Sequence, residues 1–214
     1  YAGTLFGIDT NNGGMYLEGD PTDPANVARF VAYEAEWVRP AFEVWNLTHE
    51  YVHYLDGRYD MYGDFNASMS APTVWWTEGL AEYISYSYRS LAYGDAINQA
   101  ATGRYPLATL FATDYTADQT RIYNWGYLAT RYMFEKQPAE VRTMLGQFRA
   151  GKYADYARTL NGIGTSHQTD WSAWLGCLSA HGGDTTTCGG AGDNGGSDGG
   201  NDNGGGDQNP TPTP

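Results

Sequence analysis

His49-Glu50-Tyr51-Val52-His53 packs two of the chain's four histidines into five residues, and its spacing decides how the rest of the sequence is read. A helix turns about 100° per residue, so positions i and i+4 stand one above the other on one face. Two imidazoles placed in this way can grip a single zinc ion. The glutamate between them is offset by one residue, so it reaches the metal's open position as a base without coordinating. HExxH also arises in unrelated helices that carry two surface histidines and a coincidental glutamate, so the metal reading needs a second element.

That element lies downstream, in Trp75-Trp76-Thr77-Glu78-Gly79-Leu80-Ala81-Glu82. A catalytic zinc usually has three protein ligands and a water. Glu78 follows His53 by 25 residues, and Glu82 projects from the same helical face. One carboxylate is expected to bind the metal, and the other to accept a hydrogen bond from a ligand histidine. Spacing alone does not say which. The tryptophan pair and the small Gly79 and Ala81 point to close packing rather than to two solvated glutamates.

Around these blocks the pattern predicts strands over residues 4–8, 13–18 and 26–33, the second opening on glycines. Pro40 suits the first turn of a helix and Gly57 the cap that ends it, which would put HExxH in the last turns of a helix of about four to five turns. Further helices are expected over 74–89, 117–136, 139–149, 153–160 and 170–181. Strands come first and helices dominate afterwards, an α+β layout with the sheet on the N-terminal side.

At 214 residues the chain can hold one good-sized domain and a tail; hydrophobic residues make up 41% and aromatic ones 15%. The formal net charge of −13 argues against nucleic acid and anionic membranes as partners, and suits divalent cations and basic or neutral polypeptides. No apolar run approaches the roughly 20 residues needed to span a bilayer. Tyr1 opens without a basic start and apolar block, so a mature or excised beginning is expected. Residues 189–214 carry no aromatic and no large aliphatic side chain. Such a segment cannot offset its ordering entropy by burial. Residues 1–182 are therefore expected to form the domain, and 183–214 a flexible linker, stiffened at its Pro-Thr end, leading to a further module. Cys177 and Cys188 flank a short loop and could close a local disulfide in an oxidising compartment, two free thiols being the alternative. His167 and His181 lack metal-like partners and read as structural. Asp56 and Asp60 read as loop and helix-end acids.

The run from His49 to Asp60, followed by Trp75 to Tyr83, resembles the peptidase domain of secreted bacterial collagenases, within the gluzincin zinc metallopeptidases. The segment Asn12-Gly13-Gly14-Met15-Tyr16-Leu17-Glu18-Gly19 shares the likeness, which covers about residues 5–175. The resemblance implies a gluzincin-like fold: a small N-terminal mixed sheet with an edge strand, the HExxH helix, then a mainly helical lobe. It implies zinc held by His49, His53 and Glu78, with Glu50 as general base and later proton donor, and Glu82 supporting a ligand from behind. Gly13 and Gly14 match a double glycine on the edge strand, where free N–H and C=O groups can pair with an extended substrate. Glu18 matches a carboxylate that binds structural calcium in some members, completed by backbone carbonyls near Met61 and Gly63, although the local loop departs from the family. Tyr123, with Tyr127 as the alternative, matches a tyrosine that stabilises the oxyanion. The implied partner is a collagen or gelatin polypeptide, met by a secreted monomer with flanking domains in its parent chain. A general endopeptidase without collagen preference is the second reading. The third is a zinc-containing binding module that does not hydrolyse, which the intact Glu50 speaks against.

Overall fold

The computed structural model describes residues 2–7, 14–63 and 70–188. Gly13 and residues 189–214 of the predicted 183–214 linker lie outside the described residues. The chain opens with a short helix, α1 (Ala2–Phe6), where a strand over 4–8 was expected. Gly7, at φ +65°, closes the turn by donating its N–H to the Gly3 carbonyl. A short apolar run has no periodicity to separate helix from strand, and Leu5 is exposed.

The expected mixed sheet is instead two separate antiparallel pairs. β1 (Met15–Leu17) pairs with β2 (Arg29–Val31), Tyr16 facing Phe30. β3 (Tyr33–Glu34) pairs with β4 (Val44–Trp45), Tyr33 facing Trp45. A 3₁₀ turn, Glu36–Val38, leaves β3. The helix predicted to start at Pro40 therefore begins later. Val44 and Trp45, β-branched and aromatic, are drawn into a strand pair. Asn46 then takes the left-handed conformation (φ 54°) that turns the chain into α2 (Leu47–Tyr59). HExxH occupies the first turns of α2, not its last. Gly57 lies inside the helix and not at its cap: a Cβ there would meet the Tyr16 ring at 3.3 Å, so the missing side chain lets β1 lie against α2.

Among the described residues the remaining helices are α3 (Val74–Tyr88), α4 (Gly94–Ala100), α5 (Leu107–Phe111), α6 (Trp125–Lys136), α7 (Pro138–Arg149), α8 (Tyr153–Ser166) and α9 (Gln168–Ala180). The predicted helix over 117–136 is split: a π-helical turn, Thr120–Asn124, runs into α6. α4 and α5 were not expected, being only seven and five residues long. The Gln168 side chain supports α5 from outside, accepting the Leu107 N–H at 2.8 Å.

α3 is the central element, packed on α2 and α6. It crosses α6 where Gly79 meets Gly126; a Cβ on Gly79 would stand 2.3 Å from the Gly126 carbonyl oxygen. Aromatic residues fill the space around that crossing. Trp75, Trp76, Trp125 and Trp171 are fully buried. Three of these indole N–H groups find defined acceptors: Trp75 on the Tyr156 hydroxyl at 3.0 Å, Trp76 on Asp56 Oδ1 at 3.3 Å and Trp171 on the Tyr105 carbonyl at 3.1 Å. Cys177 and Cys188 are joined in a disulfide with Cα atoms 5.8 Å apart. Arg131 and Lys136 on α6 donate to the Gly183 and Cys188 carbonyls, tying the segment after α9 to the core. Among the described residues no helix is long and apolar enough to cross a membrane.

Candidate active site

α2 buries a stripe formed by His49, Glu50, Val52, His53, Asp56 and Gly57, the helical repeat expected of a face pressed on its neighbours. α3 answers with Glu78, one turn before Glu82. The i, i+4 spacing on both helices thus brings four polar side chains together between them. Glu78 Oε2 lies 3.2 Å from His49 Nε2 and 3.5 Å from His53 Nε2. The two imidazoles stand nearly perpendicular, 4.6 Å between centroids. Ligand atoms of His49, His53 and Glu78 all fall within 4.8 Å of one another. Zinc–nitrogen and zinc–oxygen bonds of 2.0–2.1 Å in a tetrahedron imply ligand edges of about 3.3 Å. The two contacts to Glu78 bracket that length, so the donor set fits a zinc ion. Glu82 Oε1 is 3.1 Å from His49 Nδ1, behind the ligand face, where a carboxylate fixes the ring and its tautomer.

The electrostatics agree. Burial alone would push the His49 imidazolium down, but the Glu78 and Glu82 carboxylates prevail and hold its pKa up at about 10. Burial pushes Glu78 up, and the two histidines overcome it and hold it well below the usual carboxylate range. A buried pocket that favours extra positive charge this strongly is suited to a divalent cation, which would replace the protons. Glu50 is raised, chiefly by burial, with the histidines opposing; a carboxylate shifted upward is better matched to take and return protons near neutrality.

Glu50 is almost fully buried, and Gly14 explains how: a Cβ there would come within 2.5 Å of Glu50 Oε1. Gly14 thus lies against the glutamate, just before β1, and both line a cleft of about 1150 Å³. His49, His53, Glu78, Glu82, Glu18 and Tyr123 line the same cleft. Tyr123 sits in the π-helical turn, its ring 6.1 Å from that of His49. Burial and the nearby Glu78, Glu82 and Glu50 push its hydroxyl up to about 12, so it stays protonated as a donor. Tyr127 is elsewhere, one turn on, packed edge-on and tilted among Tyr83, Tyr86 and Tyr93, its hydroxyl accepting from Arg131. Between the two tyrosines, only Tyr123 reaches the cleft.

Tyr115 went unnoticed in the sequence. Its hydroxyl donates to Glu78 Oε1 at 2.6 Å, occupying the carboxylate oxygen turned away from His49. Nothing in its local sequence marks it among 18 tyrosines; only the fold brings it to a residue 37 positions earlier. Asp56 also departs from expectation. It is a buried carboxyl, not a loop acid, accepting the Trp76 indole N–H at 3.3 Å, and burial raises its pKa to about 7. Asp60 does end α2, where it pairs with Arg149. His167 and His181 cap helix ends, the latter with Nδ1 2.9 Å from the Cys177 carbonyl. Glu18 lies beside Gly57 in the last turn of α2; Met61, beyond that helix, points into the core, and Gly63 adopts φ +90°.

Comparison with known proteins bears on this geometry. Residues 1–174 match the peptidase family Peptidase_M9, described as collagenase. The chain is 45% identical over 186 residues to a microbial collagenase of Vibrio alginolyticus, covering 85% of the chain and 22% of that protein. It is 43% identical over 176 residues to a microbial collagenase of Vibrio vulnificus, covering 82% and 21%. Collagenase ColA of Clostridium perfringens is 26% identical over 172 residues, covering 73% and 15%. The chain thus spans about a fifth of the length of the curated Vibrio relatives it matches.

Proposed function

The chain belongs to the collagenase family of metallopeptidases, and on that premise we propose that it is a zinc-dependent endopeptidase acting on collagen- or gelatin-type polypeptides. The observation that carries this reading is the meeting of His49, His53 and Glu78 ligand atoms, with Glu50 buried beside them in an open cleft. In this reading His49 and His53 through Nε2, and Glu78 through Oε2, hold the ion, as in gluzincins. Glu82 fixes His49 from behind, and Tyr115 fixes Glu78. When bound, zinc supplies Lewis acidity, acidifying water and polarising the scissile carbonyl.

The chain's own residues do the rest. Glu50 takes the proton from the attacking water and returns it to the leaving amine, so one carboxylate serves both half-reactions. Tyr123 donates to the charge that develops on the carbonyl oxygen. Gly14, with Gly13 before it, lets an extended substrate run close to Glu50 along the edge of β1. A calcium ion bound by Glu18 and the Met61 and Gly63 carbonyls would brace β1 against the end of α2; the placement of Glu18 beside Gly57, near that end, supports this. The disulfide supports a secreted, oxidising location. In the parent protein the Gly/Asp/Asn-rich segment after the domain would serve as a linker to a further module.

Glu50→Gln tests the assignment. It should keep stoichiometric zinc and lower peptide hydrolysis at least about 100-fold, since a positioned acid–base group contributes roughly 10²–10⁴. Zinc-loaded protein that retains most of its turnover would remove Glu50 from the role. Gelatin cleaved no better than casein by the parent protein would favour a general endopeptidase.

A further inference from the structure

Outside the metal cluster, the least explained feature is a ladder of open aromatic rings on the β3–β4 pair. Tyr33 and Trp45 are directly opposed across that pair, so their side chains share one face. Trp37, from the 3₁₀ turn after β3, sets its ring edge-on to both. Its centroid is 5.0 Å from Trp45 at 69° and 6.3 Å from Tyr33 at 68°. Trp37 is 61% exposed and Tyr33 47%. Trp45 also lines the cleft, four residues before His49. The ladder is therefore continuous with the place where a polypeptide would be cut.

We propose that Tyr33, Trp37 and Trp45 form an extension of the cleft that docks proline rings of a substrate strand in the polyproline II conformation. The rings pack edge to face on one another, and their exposed outer surfaces offer flat walls on which a pyrrolidine ring stacks. Polyproline II repeats every three residues, about 9 Å, and has no internal hydrogen bonds to break. Pro-rich chains are recognised in aromatic grooves because they lose little entropy on binding. The charges at the rim are already paired: Arg39 bridges Glu34 and Glu36. What remains presented is apolar, which suits a neutral Gly-Pro-rich chain over a charged one. The choice of substrate class rests on the peptidase reading, whereas the docking face does not require turnover.

The experiment accordingly measures binding in Glu50→Gln, loaded with zinc, so that loss of hydrolysis cannot mask it. A Pro-Pro-Gly repeat peptide too short to form a triple helix is titrated by calorimetry, beside a proline-free Gly-Ala-Ser peptide of equal length. Adding Trp37→Ala should weaken the proline peptide about three- to tenfold and the proline-free one less than twofold. Trp37→Leu, which keeps apolar bulk but removes the ring face, should behave alike and covers the case in which the alanine variant fails to fold. Phe42→Ala, at a neighbouring exposed ring outside the ladder, should leave both affinities unchanged. Affinity for the proline peptide within twofold of the parent in the Trp37 variants would overturn the proposal and leave this face to a neighbouring domain. Equal weakening for both peptides would overturn it too. A parent protein that binds as described yet cleaves nothing would instead refute the enzymatic reading alone.

Discussion

Gly79→Ala adds one methyl group at the crossing of α3 and α6, and the structure sets its size and sign. The new Cβ would stand 2.3 Å from the Gly126 carbonyl oxygen, 2.5 Å from its carbon and 2.5 Å from Thr130 Oγ1. Two of those atoms are backbone, so no flexible side-chain end can swing away. Restoring ordinary contact requires the helices to part by about 1 Å in a core packed to crystal-like density. Overpacking of this kind costs typically 1–3 kcal/mol, and alanine's helix propensity returns at most about 1 kcal/mol. We expect a net loss of about 1–2 kcal/mol, toward the upper end because the clashing atoms are backbone. Because Glu78 is the preceding residue, the same shift displaces a proposed ligand relative to His49 and His53, and zinc affinity should fall with stability. Urea unfolding of chelated protein reads the first effect, and competition with a chromophoric chelator reads the second. Gly146→Ala on α7, where a Cβ meets nothing within 4 Å, provides the sign control and should gain up to about 1 kcal/mol. Gly126→Ala, with contacts of 3.2–3.3 Å, should fall between. If Gly79→Ala unfolds at the same urea concentration as the parent, the tight crossing is not what sets the α3–α6 distance.

Three further outcomes are expected. Glu78→Ala should abolish stable zinc binding, whereas Glu82→Ala should weaken it about 10–100-fold, as loss of an outer carboxylate does; metal analysis after dialysis showing the reverse order would exchange their roles. Tyr115→Phe removes the 2.6 Å hydrogen bond to Glu78 and should speed zinc transfer to a chelator about tenfold with the fold intact; an unchanged rate would make that hydroxyl a bystander. Asp56→Asn probes the buried carboxyl, whose pKa rises from 3.8 to about 7 on folding. The fold favours its protonated form, so that contribution is fully present below about pH 4 and is lost as pH rises through 7. At pH 8 the charge costs on the order of 4 kcal/mol at most, so Asn should stabilise there and make no difference near pH 4. Denaturant midpoints that differ equally at both pH values would place the effect outside titration.

What the sequence revealed follows the range of the physics it encodes. HExxH and Glu78/Glu82 were legible because a helix turns i, i+4 spacing into a shared face without help from the rest of the chain. Helix α3 could be placed within a residue for the same reason. Residues 40–46 were misread because their apolar content fits a helix as well as a strand. The decision fell to Tyr33 and Glu34, which pair with Trp45 and Val44 across a turn no local rule foresees. The π-helical turn is a deviation of a single backbone repeat, invisible in side-chain pattern, yet it carries Tyr123 into the cleft. Tyr115 reaches Glu78 only because the chain between them doubles back. The proposed metal ligands could therefore be read from helical periodicity. Tyr115, the hydroxyl that steadies Glu78, and the rings that extend the cleft depend on tertiary placement, and so had to be found in space.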